Sequence, residues 1–302
     1  MRKSTAALAA LALSALALTG CSSAPSFDGA SCERDSSAGL AKSVEVSGDL
    51  GEPKAQLSTP VRTEDTAYAD VIVGEGRAIT SSEQNAIVSY ALFNGASGDA
   101  LDAGTTLWNP ASVAEQLPGV DDALKCATAG SRVVVSIPAK ELAEGMAEQV
   151  GLGEKDSVIG VLDIRYAALP KAEGRDVFND ASGLPTVVRA SDGRPGIIVP
   201  DGDAPSKPVV QTLIEGDGEK VGEGSPMFHY TAVNWSDRTV AASSWESGMV
   251  LDASALPKEV GERIAKSTVG SQFLAVVPGD GGDATAYVVD VLGVVPEELT
   301  RQ

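Results

Sequence analysis

Apolar positions along this chain fall into three patterns. Residues 6–18 are an almost unbroken run of Ala and Leu, interrupted only by Ser14. That run is shorter than the roughly 20 apolar residues a membrane-spanning helix needs. Further on, β-branched runs bounded by Gly, Pro and Asp predict strands. They fall at 69–73, 86–93, 132–137 and 158–165, and again at 209–214, 227–235, 272–277 and 285–294. Between them, residues 120–128 and 258–267 predict short helices. Each follows a Leu-Pro pair, Leu117-Pro118 and Leu256-Pro257, and proline suits a helix start. Asp121 and Asp122 open the first helix, where the helix dipole favours anions.

The two sets of elements are copies. Tyr90 and Tyr230 are 140 residues apart, and so are Gly130-Ser131 and Gly270-Ser271. Val73-Gly74-Glu75-Gly76 parallels Ile214-Glu215-Gly216-Asp217-Gly218. Asp163 and Asp290 are only 127 apart, so the loop after Pro138 is 13 residues longer than the loop after Pro278. Two copies of one domain explain this; a solenoid would need shorter periods and more copies. The expected class is α+β, with a curved antiparallel sheet packed on one short helix in each copy. The first copy spans 44–168 and the second 184–298, joined by a linker at 169–183 within a Gly-, Pro- and Asp-rich stretch. Gly183-Leu184-Pro185-Thr186-Val187 is expected to open the second copy's first strand.

Charge and cysteines refine the setting. Arg2 and Lys3 precede the apolar run, and Leu18-Thr19-Gly20-Cys21 follows it. This resembles a bacterial lipoprotein signal: residues 1–20 would be removed and Cys21 lipidated, with 21–43 as lipidated cysteine and tether. Each buried methylene of such an anchor contributes about 0.8 kcal/mol. The expected location is the extracytoplasmic face of the cell membrane. The formal net charge is -19, and -21 without Arg2 and Lys3, which argues against nucleic acid. Cys32 and Cys126 remain beside Cys21, and an even remainder outside the cytoplasm permits one disulfide. With one histidine, His229, neither a zinc site nor a Ser-His-Asp triad is expected, and no cofactor is called for.

The second copy resembles an FKBP-type peptidyl-prolyl isomerase domain over about 184–296. The likeness rests on Leu213-Ile214-Glu215-Gly216-Asp217-Gly218, His229-Tyr230-Thr231, Ser243-Ser244-Trp245, Leu256-Pro257, Val269-Gly270-Ser271, Val276-Val277-Pro278 and Val289-Asp290-Val291-Leu292-Gly293-Val294. The first copy resembles the family more faintly, through the repeat and through residues 117–124. The resemblance implies Tyr90, Asp102 and Tyr230 as catalytic positions. It implies Leu101, Leu117 and Val120 as substrate-binding positions in the first copy, and Ala241, Ala242, Leu256 and Val260 in the second. Ala241-Ala242 replaces the family's Phe-Asp pair, Val120 takes its Trp position in the first copy and Glu259 or Val260 in the second, and Glu144 takes its late-loop Tyr. Both tyrosines fit a pocket or a core equally, and Asp102 fits a pocket or a turn. Trp235 and Trp245 suit packing of the bulge. The implied partners are unfolded or proline-containing secreted polypeptides. The family fold permits either proline isomerisation or polypeptide holding without catalysis; oligomeric state is left open.

Overall fold

A computed structural model describes residues 26–115, 117–178, 182–279 and 283–300. The signal segment 1–20, Cys21, the start of the tether and Asp280 to Gly282 of the late loop lie outside the described residues. No helix among the described residues is long and apolar enough to cross a membrane.

Two antiparallel sheets carry the fold. The first runs in the order Ala67–Ile72, Arg132–Pro138, Ser157–Ala167, Ala86–Asn94, Ala100–Trp108. The second runs Arg175–Asp176, Val209–Glu215, Gln272–Pro278, Ala284–Val294, Pro226–Asn234, Val240–Ser243. All pairings are antiparallel. The two ladders share one register. Ala91 faces Ala103 and Leu92 faces Asp102; Thr231 faces Ser243 and Ala232 faces Ala242.

Every residue of Arg132–Pro138 is buried, which explains a run without polar alternation. Its two faces are covered by different things. Val133, Val135 and Ile137 join Val88, Leu162 and the Val120–Leu124 helix in one core. Val134, Ile159 and Val161 pack under a hairpin of Val44–Ser47 and Lys54–Leu57. The second sheet repeats this. Phe273, Ala275, Val289 and Val291 meet the Lys258–Ala265 helix, while Leu274, Val276, Ala286 and Val288 lie with residues of the Thr186–Arg189 and Pro195–Ile198 hairpin. A further apolar cluster joins the two units through Ile87, Leu169, Met227 and Leu292.

The repeat extends to single bonds. Thr128 Oγ1 donates to the Gly74 carbonyl, and Thr268 Oγ1 to the Gly216 carbonyl, both at 2.7 Å. Gly74 N donates to Ser131 Oγ and Gly216 N to Ser271 Oγ. A Cβ on Gly74 or Gly216 would collide with the backbone of 129–131 or 269–271, so both turns require glycine.

Several expectations change. The first helix covers only Val120–Leu124, because Cys126 turns into the left-handed region at φ 61 and gives its N–H to Ile79 O. The second ends at Ala265. Thr186–Arg189 is a strand, but it pairs with Pro195–Ile198 outside the main sheet. The Ala100–Trp108 strand and both hairpins were not predicted; exposed Ala100–Trp108 shows little alternation. The connection after Pro138 runs through 139–156 against 279–283 after Pro278, 13 residues longer.

Candidate functional site

Period-two geometry builds the candidate site on the helix-facing side of the first sheet. Tyr90 lies opposite Gly104, and a Cβ there would stand 3.4 Å from the tyrosine hydroxyl oxygen. The missing side chain lets the ring lie over the neighbouring strand. Asp102 and Trp108 leave that strand on the same face as Gly104. The Tyr90 hydroxyl donates to Asp102 Oδ2 at 2.9 Å, and its ring stacks on Trp108 with centroids 5.1 Å apart. Burial, with Asp102 beside it, raises the Tyr90 pKa, so the hydroxyl keeps its proton at neutral pH. Leu101 and Leu117 are half-buried at the margin of the same core.

The second sheet brings together less. Tyr230 is half-buried beside Phe228, ring centroids 6.4 Å apart, with Leu256, Val277 and Tyr287 around the same core. Burial raises the Tyr287 pKa. Ala241 and Ala242 occupy the positions of Leu101 and Asp102, so no carboxylate stands on that strand at the Asp102 position. Trp108 also has no aromatic counterpart: the second copy's strand stops at Ser243, and a Ser244–Ser247 helical turn follows.

Val120 and Val260 are core residues, not pocket floors: each is 0% exposed and offers a ligand no surface. Glu144 is exposed on the long connection. Sequence reasoning missed Gly104, Trp108 and Tyr287. Counting in twos from Asp102 would have placed Gly104 and Trp108 on its face. Cys32 and Cys126 form a disulfide with Cα atoms 5.5 Å apart, which ties the N-terminal segment beside the first helix.

His229 Nδ1 lies 3.0 Å from Ser244 Oγ, a spacing shared with nucleophile–base pairs. Burial defeats that chemistry. Ser244 is 1% exposed and already accepts Tyr230 N–H at 2.8 Å, and desolvation lowers the His229 pKa to about 4. His229 instead stacks on Trp245 at 4.5 Å.

No protein-family model matches the chain, and no curated protein matches it. Solved structures give weak likenesses. The three FKBP domains of wheat FKBP73 align at 13% identity and TM-score 0.33, covering 76% of this chain and 94% of that one. FkpA from Escherichia coli aligns at 19% identity and TM-score 0.29, covering 34% and 47%. A peptidyl-prolyl cis-trans isomerase from Pseudomonas syringae aligns at 15% and 0.29, covering 36% and 83%. Likenesses at these scores fix neither the reaction nor its residues.

Proposed function

We propose that this chain is an exported, lipid-anchored protein of the FKBP type that acts on secreted or envelope polypeptides, with proline isomerisation on the first sheet. The observation that carries the reading is the Tyr90–Asp102 hydrogen bond on a half-buried aromatic face. An X-Pro bond turns slowly because amide resonance imposes a barrier of about 18–20 kcal/mol. Lowering it needs no nucleophile. A half-buried aromatic surface disfavours the polar planar amide and holds the twisted one, which is differential binding of the transition state. Asp102, fixed by Tyr90 and by Ala103 N–H, supplies an oriented carboxylate at the rim.

A second reading is polypeptide holding without catalysis. Ala241-Ala242 and the buried Val120 and Val260 favour it, since each removes lining from a substrate pocket. Proline-limited refolding of a model protein separates the two, using residues 22–302 beside Asp102→Ala. The expected result is acceleration at substoichiometric protein, reduced about tenfold in the variant. Slowed aggregation near one-to-one with no acceleration would leave the holding reading.

A further inference from the structure

The two copies finish the same sheet edge differently. Ala67–Ile72 pairs on one side with Arg132–Pro138 and forms the end of its sheet. The N-terminal segment covers the first half of the open side. Ser37 N donates to Tyr68 O at 2.7 Å, Asp70 N donates to Ser36 Oγ at 2.9 Å, and Arg34 pairs with Asp70. Past Asp70 no described residue continues this cover. Val71, Ile72 and Val73 are exposed at 38%, 45% and 74%.

In the second copy the corresponding residues are Leu213, Ile214 and Glu215. The correspondence follows from the Gly74 and Gly216 turns and from a matching register shift, between Asp70 and Ile72 and between Thr212 and Ile214. There the edge is covered by the chain itself. Arg175 stands opposite Glu215, Asp176 opposite Ile214, and Val177 N donates to Leu213 O at 2.9 Å. Arg175 and Glu215 form an ion pair. Ile214 is 5% exposed, against 45% for Ile72.

We propose that the Val71–Val73 edge takes an extended segment of a partner polypeptide as an added antiparallel strand, in the place that Arg175 to Val177 fills in the second copy. Main-chain bonds supply the affinity of such strand addition, and side chains supply its preference. Glu215 selects a guanidinium; Val73, in its place, selects an apolar side chain. The pairing residues cannot be proline, which lacks the donor. A second copy of this chain is a poor occupant, because a net charge of -19 sets two copies against each other. The inference is independent of isomerisation, since the segment it recognises needs no proline.

The test is a fluorescein-labelled nonapeptide of alternating valine and threonine flanked by lysines, without proline, titrated against residues 22–302 by anisotropy. Saturable binding is expected. A peptide N-methylated at alternate backbone nitrogens should bind about tenfold weaker, since it keeps the side chains and loses the ladder donors. Val73→Lys should weaken binding by about as much, because an edge lysine opposes pairing, and its exposed position leaves folding intact. Amide exchange should slow at 71–73. No saturable binding, equal binding of the N-methylated peptide, or protection elsewhere overturns the proposal. So does a dimer in sedimentation that Val73→Lys disrupts, which would assign the edge to a second copy.

Discussion

The first copy seals its hairpin-facing surface with a buried ion pair, whereas the second places a buried acid there without an ion-paired cation. In the first, Arg132 and Asp163 are 2% and 0% exposed and meet through Nε–Oδ1 at 2.5 Å and Nη2–Oδ2 at 2.7 Å. The guanidinium also donates to the carbonyls of Ser47, Gly48 and Asp49 at 2.9–3.0 Å, so one side chain holds the hairpin turn to the sheet. In the second, Gln272 takes the place of Arg132 and Asp290 that of Asp163. Gln272 donates to Asp290 at 2.7 Å and accepts from Arg189 of the second hairpin at 2.8 Å. Burial raises the Asp290 pKa to about 7. Identical ladders therefore accept either a charged pair or an acid on the verge of neutrality. The local donor count decides which.

The largest effect should come from breaking the charged version. Arg132→Ala leaves Asp163 buried without its cation and frees three hairpin carbonyls, a loss of about 3–5 kcal/mol in urea denaturation. A loss below about 1 kcal/mol would mean the pair merely fills space. Asp290→Asn should act in the opposite direction. Folded Asp290 holds its proton up to about pH 7, while the unfolded chain releases it near 3.8. Its contribution is thus complete below about pH 4 and lost as pH rises through 7. The asparagine should be more stable than the parent at pH 8 by about 4 kcal/mol, with the gap closing towards pH 4. His229 has the reverse sign. With a folded pKa of about 4 against 6.5, it contributes above pH 6.5 and is lost as pH falls towards 4. The parent should therefore show a flat profile between pH 4 and 6.5. Asp290→Asn should expose the histidine slope, with stability rising across that window. A parent profile that falls steadily from pH 4 would contradict the assignment.

Much of this scaffold is legible in the chain because the strands are continuous β-branched runs. Arg132–Pro138 and Gln272–Pro278 are covered on both faces, so they read without alternation and agree with expectation to within a residue. The repeat is legible because Gly130-Ser131 and Gly270-Ser271 serve the same turn. What stays hidden depends on register. Asp290 meets Gln272 and stands opposite His229 only because three strands align, and nothing local at any of them announces it. Val120 and Val260 were read as lining from a resemblance, but their helices press them into the core. The 120–128 helix is cut short by a pairing with Ile79, 47 residues upstream of Cys126, which no helix propensity encodes.

The smallest effect divides the two tyrosines. Tyr90→Phe removes a hydrogen bond to a carboxylate and leaves the Trp108 stack, so stability should fall by about 0.5–1 kcal/mol because the pair is exposed to solvent. Tyr230→Phe removes a hydroxyl where Ala242, not a carboxylate, stands at the position matching Asp102, and should change stability by less than about 0.5 kcal/mol. The same two variants sharpen the functional contrast. If the first sheet holds the site, Tyr90→Phe lets Asp102 swing away from its oriented position and slows proline-limited refolding, while Tyr230→Phe leaves the rate at the parental value. Equal rates in both variants would detach Tyr90 from the chemistry. A rate lost only in Tyr230→Phe would move the site to the second sheet, where Tyr287 and Leu256 would form its wall.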